Sequence, residues 1–351
     1  MQERVPMTDR EINSELLRSV METPLRFWVG AIVLALIVAM WLVSLGWLIY
    51  WGTGVLGLNT PIYWGFLITN FVFWVGISHA GTMISSILRL TQAEWRRPVV
   101  RAAEVMTVFS LGTAALFPLI HTGRPWRAMY WVFPYDFMRD IWPNVRSPLV
   151  WDPSAIFTYL TGSSLFVFLA LIPDAAVIRD HSTGWRRRFY GLIALGWQGN
   201  TRQWKLQATA GILLSALILP VFVSVHSIVS WDFAVSLVPV WHATVFAPYF
   251  VVGAVHSGVS AVVTLMAAMR WMFKWDKFIR PEHFDAIGRL LVVIGTVWLY
   301  FFFLDWIFAI IPNETRELGA MERRMFEWPY WLLLLDIIIL GYIIPIGLWL
   351  K

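Results

Sequence analysis

The chain has 351 residues, 58% of them hydrophobic and only 14% charged, with a net charge of +5. Soluble domains carry about a quarter charged residues, so a soluble globular fold is excluded, and the small basic excess reports membrane-surface loops rather than nucleic-acid binding. The absence of cysteine excludes disulfides, thiolate nucleophiles and Cys-ligated iron–sulfur clusters within this chain.

Residues 1–26 are polar and charged, so they read as a cytoplasmic tail rather than a cleavable signal peptide, which would need an apolar stretch there. Eight apolar runs then follow, each long enough for a spanning helix, near 27–50, 62–88, 99–120, 155–178, 206–229, 241–268, 287–311 and 329–350. Sidedness comes from Lys and Arg. The tail and the connections after runs 2, 4 and 6 hold about 19 basic residues against about 7 in the opposite loops, which places the N-terminus in the cytoplasm. Residues 89–101 and the amphipathic stretch 184–200 are the basic inner connections, suited to anionic headgroups. Many of the 23 Trp, among them Trp28, Trp51, Trp64 and Trp241, stand at span ends as interfacial anchors.

The connection 121–154 is long, external and rich in Pro, aromatics and charges, a composition that points to function rather than disorder. Run 2 holds "GISHAG" (76–81) and run 6 "GAVHSG" (253–258), which suggests two bundles related by duplication.

Ionisable residues at membrane depth are expensive and mark proton routes or ligands. His79, Glu104, Asp174, His256, Asp305 and Asp336 are of this kind. At 1.5 Å per residue His79 lies about 25 Å from Ile62, in the inner half, level with Glu104 and Asp174. These three and His256 and Asp305 are expected to serve a proton path, against the blander role of interhelical hydrogen bonds. A second cluster falls at the outer face: His121, Arg124, Asp136, Asp140, Asp152, His226, Asp232 and His242. Imidazole and carboxylates at adjoining helix ends suit quinol oxidation, which needs a hydrogen-bond partner for each quinol oxygen and a base for each proton. Solvated loop charges are the competing reading, strongest for Asp136 and Asp140. A bis-His haem would require His79 and His256 to face one cavity, which nothing in the pattern shows. No metal-ligand spacing occurs. A transporter should break helices around a midplane site in both halves, whereas the polar density here concentrates at one face.

Several stretches resemble the large membrane subunits of alternative complex III, within the polysulfide-reductase NrfD superfamily: "FVFWVGISHAGTMISSILRL" (71–90), "FPLIHTGRPW" (117–126), "WPNVRSPLVWD" (142–152), "LALIPDAAVIRD" (169–180), "ALGWQGN" (194–200), "SVHSIVSWDFA" (224–234) and "WHATVFAPYFVVGA" (241–254). The resemblance implies an all-α membrane protein of the bacterial inner membrane, with 27–351 as one polytopic domain. Its first four-helix bundle would cover about 62–229 and its second about 241–351. Relatives usually have ten spans and this chain has eight, so the second bundle is expected to be incomplete.

The implied function is oxidation of menaquinol or ubiquinol in a respiratory or photosynthetic chain, with proton translocation and with no haem or iron–sulfur cluster in this subunit. Implied partners are an outer iron–sulfur protein, multihaem cytochrome c subunits, a paralogous NrfD-like membrane subunit and lipids. The implied catalytic residues are His121 in H-x-G-R-P-W, Asp152 ending R-S-P-L-x-W-D and Asp232 in S-W-D-F-A, with Arg124 beside them at the quinol. His79 in H-A-G-T resembles a proton-path residue. The complex holds two such paralogues. Asp305 stands where relatives tend to have Glu, and this late departure leaves open the alternative of a quinone-free proton-path or scaffold subunit.

Overall fold

A computed structural model describes residues 8–23, 25–58, 64–93, 97–128, 148–236 and 238–350, and no strand occurs among them. Among the described residues, eight helices are long and apolar enough to cross a membrane: Phe27–Trp51, Phe66–Leu90, Pro98–His121, Trp151–Asp180, Thr201–Ala234, Phe246–Phe273, Pro281–Ile310 and Tyr330–Trp349. The protein is an all-α, multi-pass membrane protein. The helices coincide with the eight apolar runs, but their ends differ by several residues. The fifth, for example, begins at Thr201 and reaches Ala234 because its ends carry Arg202, Gln203 and Asp232, which hydropathy alone trims away.

The chain divides into two compact units, Met1–Tyr63 with Leu171–Asn200, and Trp64–Ala170 with Thr201–Lys351. In the first, part of the expected tail is helical. Helix α1 (Asp9–Met21) starts at a capping box, with Thr8 N donating to Glu11 Oε2 at 2.8 Å and Glu11 N donating to Thr8 Oγ1 at 3.4 Å. Helix α2 (Leu25–Trp51) is apolar all round and almost entirely exposed, as expected of a helix whose solvent is lipid. The last turns of α5 (Pro148–Asp180) carry Asp174, half-buried, and pack Ala175 and Ala176 on Ala194 just after the short helix α6 (Gly184–Ile193).

In the second unit α3 (Phe66–Leu90) is the most enclosed span. Its small residues explain why. A Cβ on Gly81 would run into Thr107 Oγ1 and the Ala103 carbonyl of α4 (Arg97–His121), and one on Gly76 would sit 3.6 Å from Ala254 Cα of α8 (Phe246–Phe273). Without a hydrophobic driving force between helices in lipid, such close backbone approach supplies the packing energy. Gly81→Ala should therefore cost about 1–3 kcal/mol by overpacking, read as a lower thermal unfolding temperature in detergent; an unchanged temperature would show that the α3–α4 contact is loose.

One hydrophobic cluster runs through α3, α4, α5, α7 (Thr201–Ala234), α8 and α9 (Pro281–Ile310), including Ile84, Val99, Tyr159, Phe222, Val259 and Leu291. The two sequence halves thus share one core, with the duplicated motifs facing each other across α3 and α8. Helix α10 (Thr315–Phe326) follows, and the last span runs from α11 (Tyr330–Ile338) through a π-turn at Ile339–Ile343 into α12 (Ile344–Trp349).

Candidate functional site

At the end where α4 leads into the long connection, hereafter the loop end, three helix termini converge. His121 is the last residue of α4, Asp152 lies just past the first turn of α5, and Asp232 lies near the end of α7, which closes at Ala234. The imidazole at the C-terminus of α4 is placed where the backbone dipole favours a positive charge, whereas Asp232, near the C-terminus of α7, has no such support. Pro118, one turn before His121, lacks the N–H that would bond to Ala114, and loosens α4 where it meets the site.

All three side chains line one cavity. His121 is 7% exposed and Asp152 9%. The Asp152 and Asp232 carboxyls are in hydrogen-bond contact, which needs a proton between them. The His121 ring donates to the Leu67 backbone carbonyl, but its Nε2 is buried without a partner among the described residues. Asp152 Oδ1 and Asp232 Oδ1 are buried without partners as well. Buried polar atoms are rarely left so, and three in one cavity mark a place for a ligand or water. The cavity measures about 30 Å³, room for a single water. Trp64 forms part of its wall, stacked on His121 with ring centres 5.0 Å apart and planes 18° from parallel.

Arg124 is half-buried in the turn after α4, where its carbonyl accepts from Thr122 Oγ1 at 3.0 Å; it is not among the residues lining the cavity. Asp136 and Asp140 lie outside the described residues. His242 is exposed, its Nδ1 3.1 Å from the Ser236 carbonyl.

His226 departs from its expected place at the outer face. Because α7 continues to Ala234, His226 lies two turns inside the helix, about 12 Å along it. There its ring meets His79 at 4.6 Å, edge to face. His79 itself is about 20 Å from the start of α3 at Phe66, nearer mid-span than expected. It is fully buried, packed on Tyr159 at 4.3 Å, and neither ring nitrogen has a partner among the described residues. The Tyr159 hydroxyl donates at 3.1 Å to the Ser78 carbonyl and to Thr82 Oγ1, and Thr82 reaches Thr107 at 3.4 Å. Further along α4, Glu104 is fully buried. It accepts from Ser85 Oγ at 2.7 Å, Arg101 Nη1 at 2.6 Å and Arg89 Nη2 at 3.4 Å. Gly211 of α7 leaves the space through which the Arg89 guanidinium passes.

The outer trio and the His79–Glu104 series therefore belong to one bundle of α3, α4, α5 and α7, while two other expected path residues stand outside it. His256 lies beside Trp298 and Trp349, at ring distances of 6.4 Å, and so does not face His79 across a shared cavity. Asp305 sits near the end of α9 in a separate loop-end cavity. Sequence reasoning passed over Tyr159, Ser85, Arg89 and Arg101. Residues 85, 89 and 101 carried a signal: in α3 they stand four apart, and Arg101 stands three before Glu104, the spacings at which side chains share a helix face.

The model of the family described as polysulphide reductase, NrfD, matches residues 54–351. A protein of Halobacterium salinarum described as a membrane subunit of dimethyl sulfoxide reductase is 26% identical over 269 residues, covering 76% of this chain and 56% of that protein. The chain thus spans about half the length of this curated relative. Eight spans, the loop-end trio and a family match over most of its length lead to one conclusion: the chain belongs to the NrfD family of polysulphide reductase membrane proteins.

Proposed function

We propose that this chain is the quinol-oxidising membrane subunit of a redox complex, of the alternative complex III type, in a bacterial inner membrane. The observation that carries the reading is the trio of buried, partnerless atoms, His121 Nε2, Asp152 Oδ1 and Asp232 Oδ1, in one cavity. A quinol, menaquinol or ubiquinol, gives up two protons and two electrons as its two O–H bonds break. His121 Nε2 accepts one proton and the Asp152–Asp232 pair takes the other, while both electrons leave to an iron–sulfur protein docked at the loop end and onward to multihaem cytochrome c subunits. A paralogous NrfD-like subunit and lipids complete the surroundings. The relative's description as a reductase membrane subunit supports a place in such a complex. The buried series from His79 and Tyr159 to Glu104 would couple the site to the opposite face by proton exchange, with water bridging the partnerless nitrogens of His79 and His226.

The second reading, a quinone-free paralogue serving as scaffold or proton path, draws support from the 30 Å³ cavity, which admits no ring unless Trp64 moves. Trp64→Ala is therefore expected to raise the association rate of a quinone analogue several-fold in stopped-flow measurements, and an unchanged rate would speak for entry by another way. Binding of the analogue to wild type and its loss in His121→Ala separates the two readings. Equal binding by both forms would remove the proposed site.

A further inference from the structure

The second unit holds another cavity besides the His121 site. It measures about 430 Å³, opens at the same loop end, and is lined by Trp241, Phe246, Tyr249, Asp305, Arg324 and Tyr330 among others. The duplicated motifs, 177 residues apart, put it in register with the first cavity. At that offset Trp64 of the first corresponds to Trp241 of the second, and Phe246 and Tyr249 stand one residue beyond the positions matching Ile68 and Phe71. In the next helix of each half, His121 stands 23 residues after Pro98 and Asp305 stands 24 after Pro281. The second half thus carries a carboxyl group near the end of the helix that follows its motif, as the first carries an imidazole.

Its lining indicates what it would hold. Four aromatic side chains form the walls. Asp305 is 5% exposed and lies in electrostatic contact with Tyr249 and Arg324. The Arg324 guanidinium rests 5.4 Å over the Trp306 ring, and the other cation of the lining, Arg323, is engaged by Glu327 at 3.7 Å. Charges are therefore nearly balanced, which disfavours a phosphate. A flat, uncharged ring with oxygens at its edge meets aromatic faces, one acceptor in Asp305 and donors in Arg324 and Tyr249.

We infer that the Trp241–Asp305–Arg324 cavity is a second binding site for a quinone-class ring, separate from the His121 site. The ligand class rests on the function proposed above; the cavity and its lining do not.

The test is photolabelling of the full chain in lipid nanodiscs with an azidoquinone, followed by peptide mapping. Label is expected within 239–249 or 320–330 as well as near Trp64 and His121. Asp305→Ala and Tyr330→Leu should each lower the 239–330 label at least tenfold and leave the first label intact. Tyr330 is half exposed, so its replacement spares the fold. Label near His121 alone would overturn the second site, as would displacement of the 239–330 label by excess anionic phospholipid but not by unlabelled quinone. Label at 239–330 alone would uphold the second site and overturn the His121 reading. An unlabelled chain would overturn both.

Discussion

Asp152→Asn and Asp232→Asn will each lower quinol oxidation by about 10²- to 10⁴-fold, the range associated with removing a positioned proton acceptor. Asparagine keeps the shape of the side chain, and its amide can still donate across the pair, so the cavity and the helix ends around it should stay in place. What disappears is the second carboxyl. The two side chains touch each other, and both have an oxygen buried without a partner, so they act as one unit that holds a proton between them. Residues that act as a unit are non-additive. The double substitution should therefore cost little more than either single one, whereas two independent groups would multiply their losses. Steady-state quinol oxidation by membranes containing the complex, with inhibitor affinity as a control for site integrity, measures both quantities. Losses below about threefold for the single variants, far short of the expected range, would move the proton acceptors elsewhere.

The location of this trio is legible in the sequence for a simple reason. Successive membrane helices alternate in direction, so the end of the third span, the start of the fourth and the end of the fifth must share a face, and His121, Asp152 and Asp232 stand at those ends. The number of spans is legible because each is a long apolar run. Depth along a helix is less so. Hydropathy stops the fifth span near 229 and so puts His226 at the outer face, while the helix continues to Ala234 and carries His226 inward to His79. Rotation about a helix axis is not legible at all. Tyr159 is one aromatic among many in α5, and its burial against His79 and its hydroxyl contacts with Ser78 and Thr82 separate it from lipid-facing neighbours such as Phe157, which is 69% exposed. The helix in the N-terminal segment could have been read from Thr8 and Glu11, since the three-residue spacing of a capping box is a local signal. The pairing of Trp241 with Trp64 requires the internal repeat to be extended beyond its six-residue motif.

Glu104 carries the other large effect, and here stability and proton transfer can be told apart by the choice of replacement. Its carboxylate is fully buried and is held by Arg101, Arg89 and Ser85. Removing one partner of a buried ion pair costs about 3–5 kcal/mol when the remaining charge stays buried. The two arginine side chains are 21% and 40% exposed, so solvent takes up part of their charge, and Glu104→Ala should destabilise by about 2–3 kcal/mol. Glu104→Gln keeps the volume and one of the two acceptor oxygens, enough for either Ser85 and Arg89 or Arg101, which bond opposite oxygens of the carboxylate. It should therefore unfold closer to wild type than the alanine variant does, but it cannot exchange a proton. If the His79–Tyr159–Glu104 series moves protons, quinol oxidation in sealed vesicles will continue in the glutamine variant while the proton release coupled to it falls. If Glu104 serves only to clamp α3 to α4, the glutamine variant will keep that coupling and the alanine variant will lose stability alone. The ratio of protons released to electrons transferred, followed beside thermal unfolding of the same preparations, decides between a relay and a clamp.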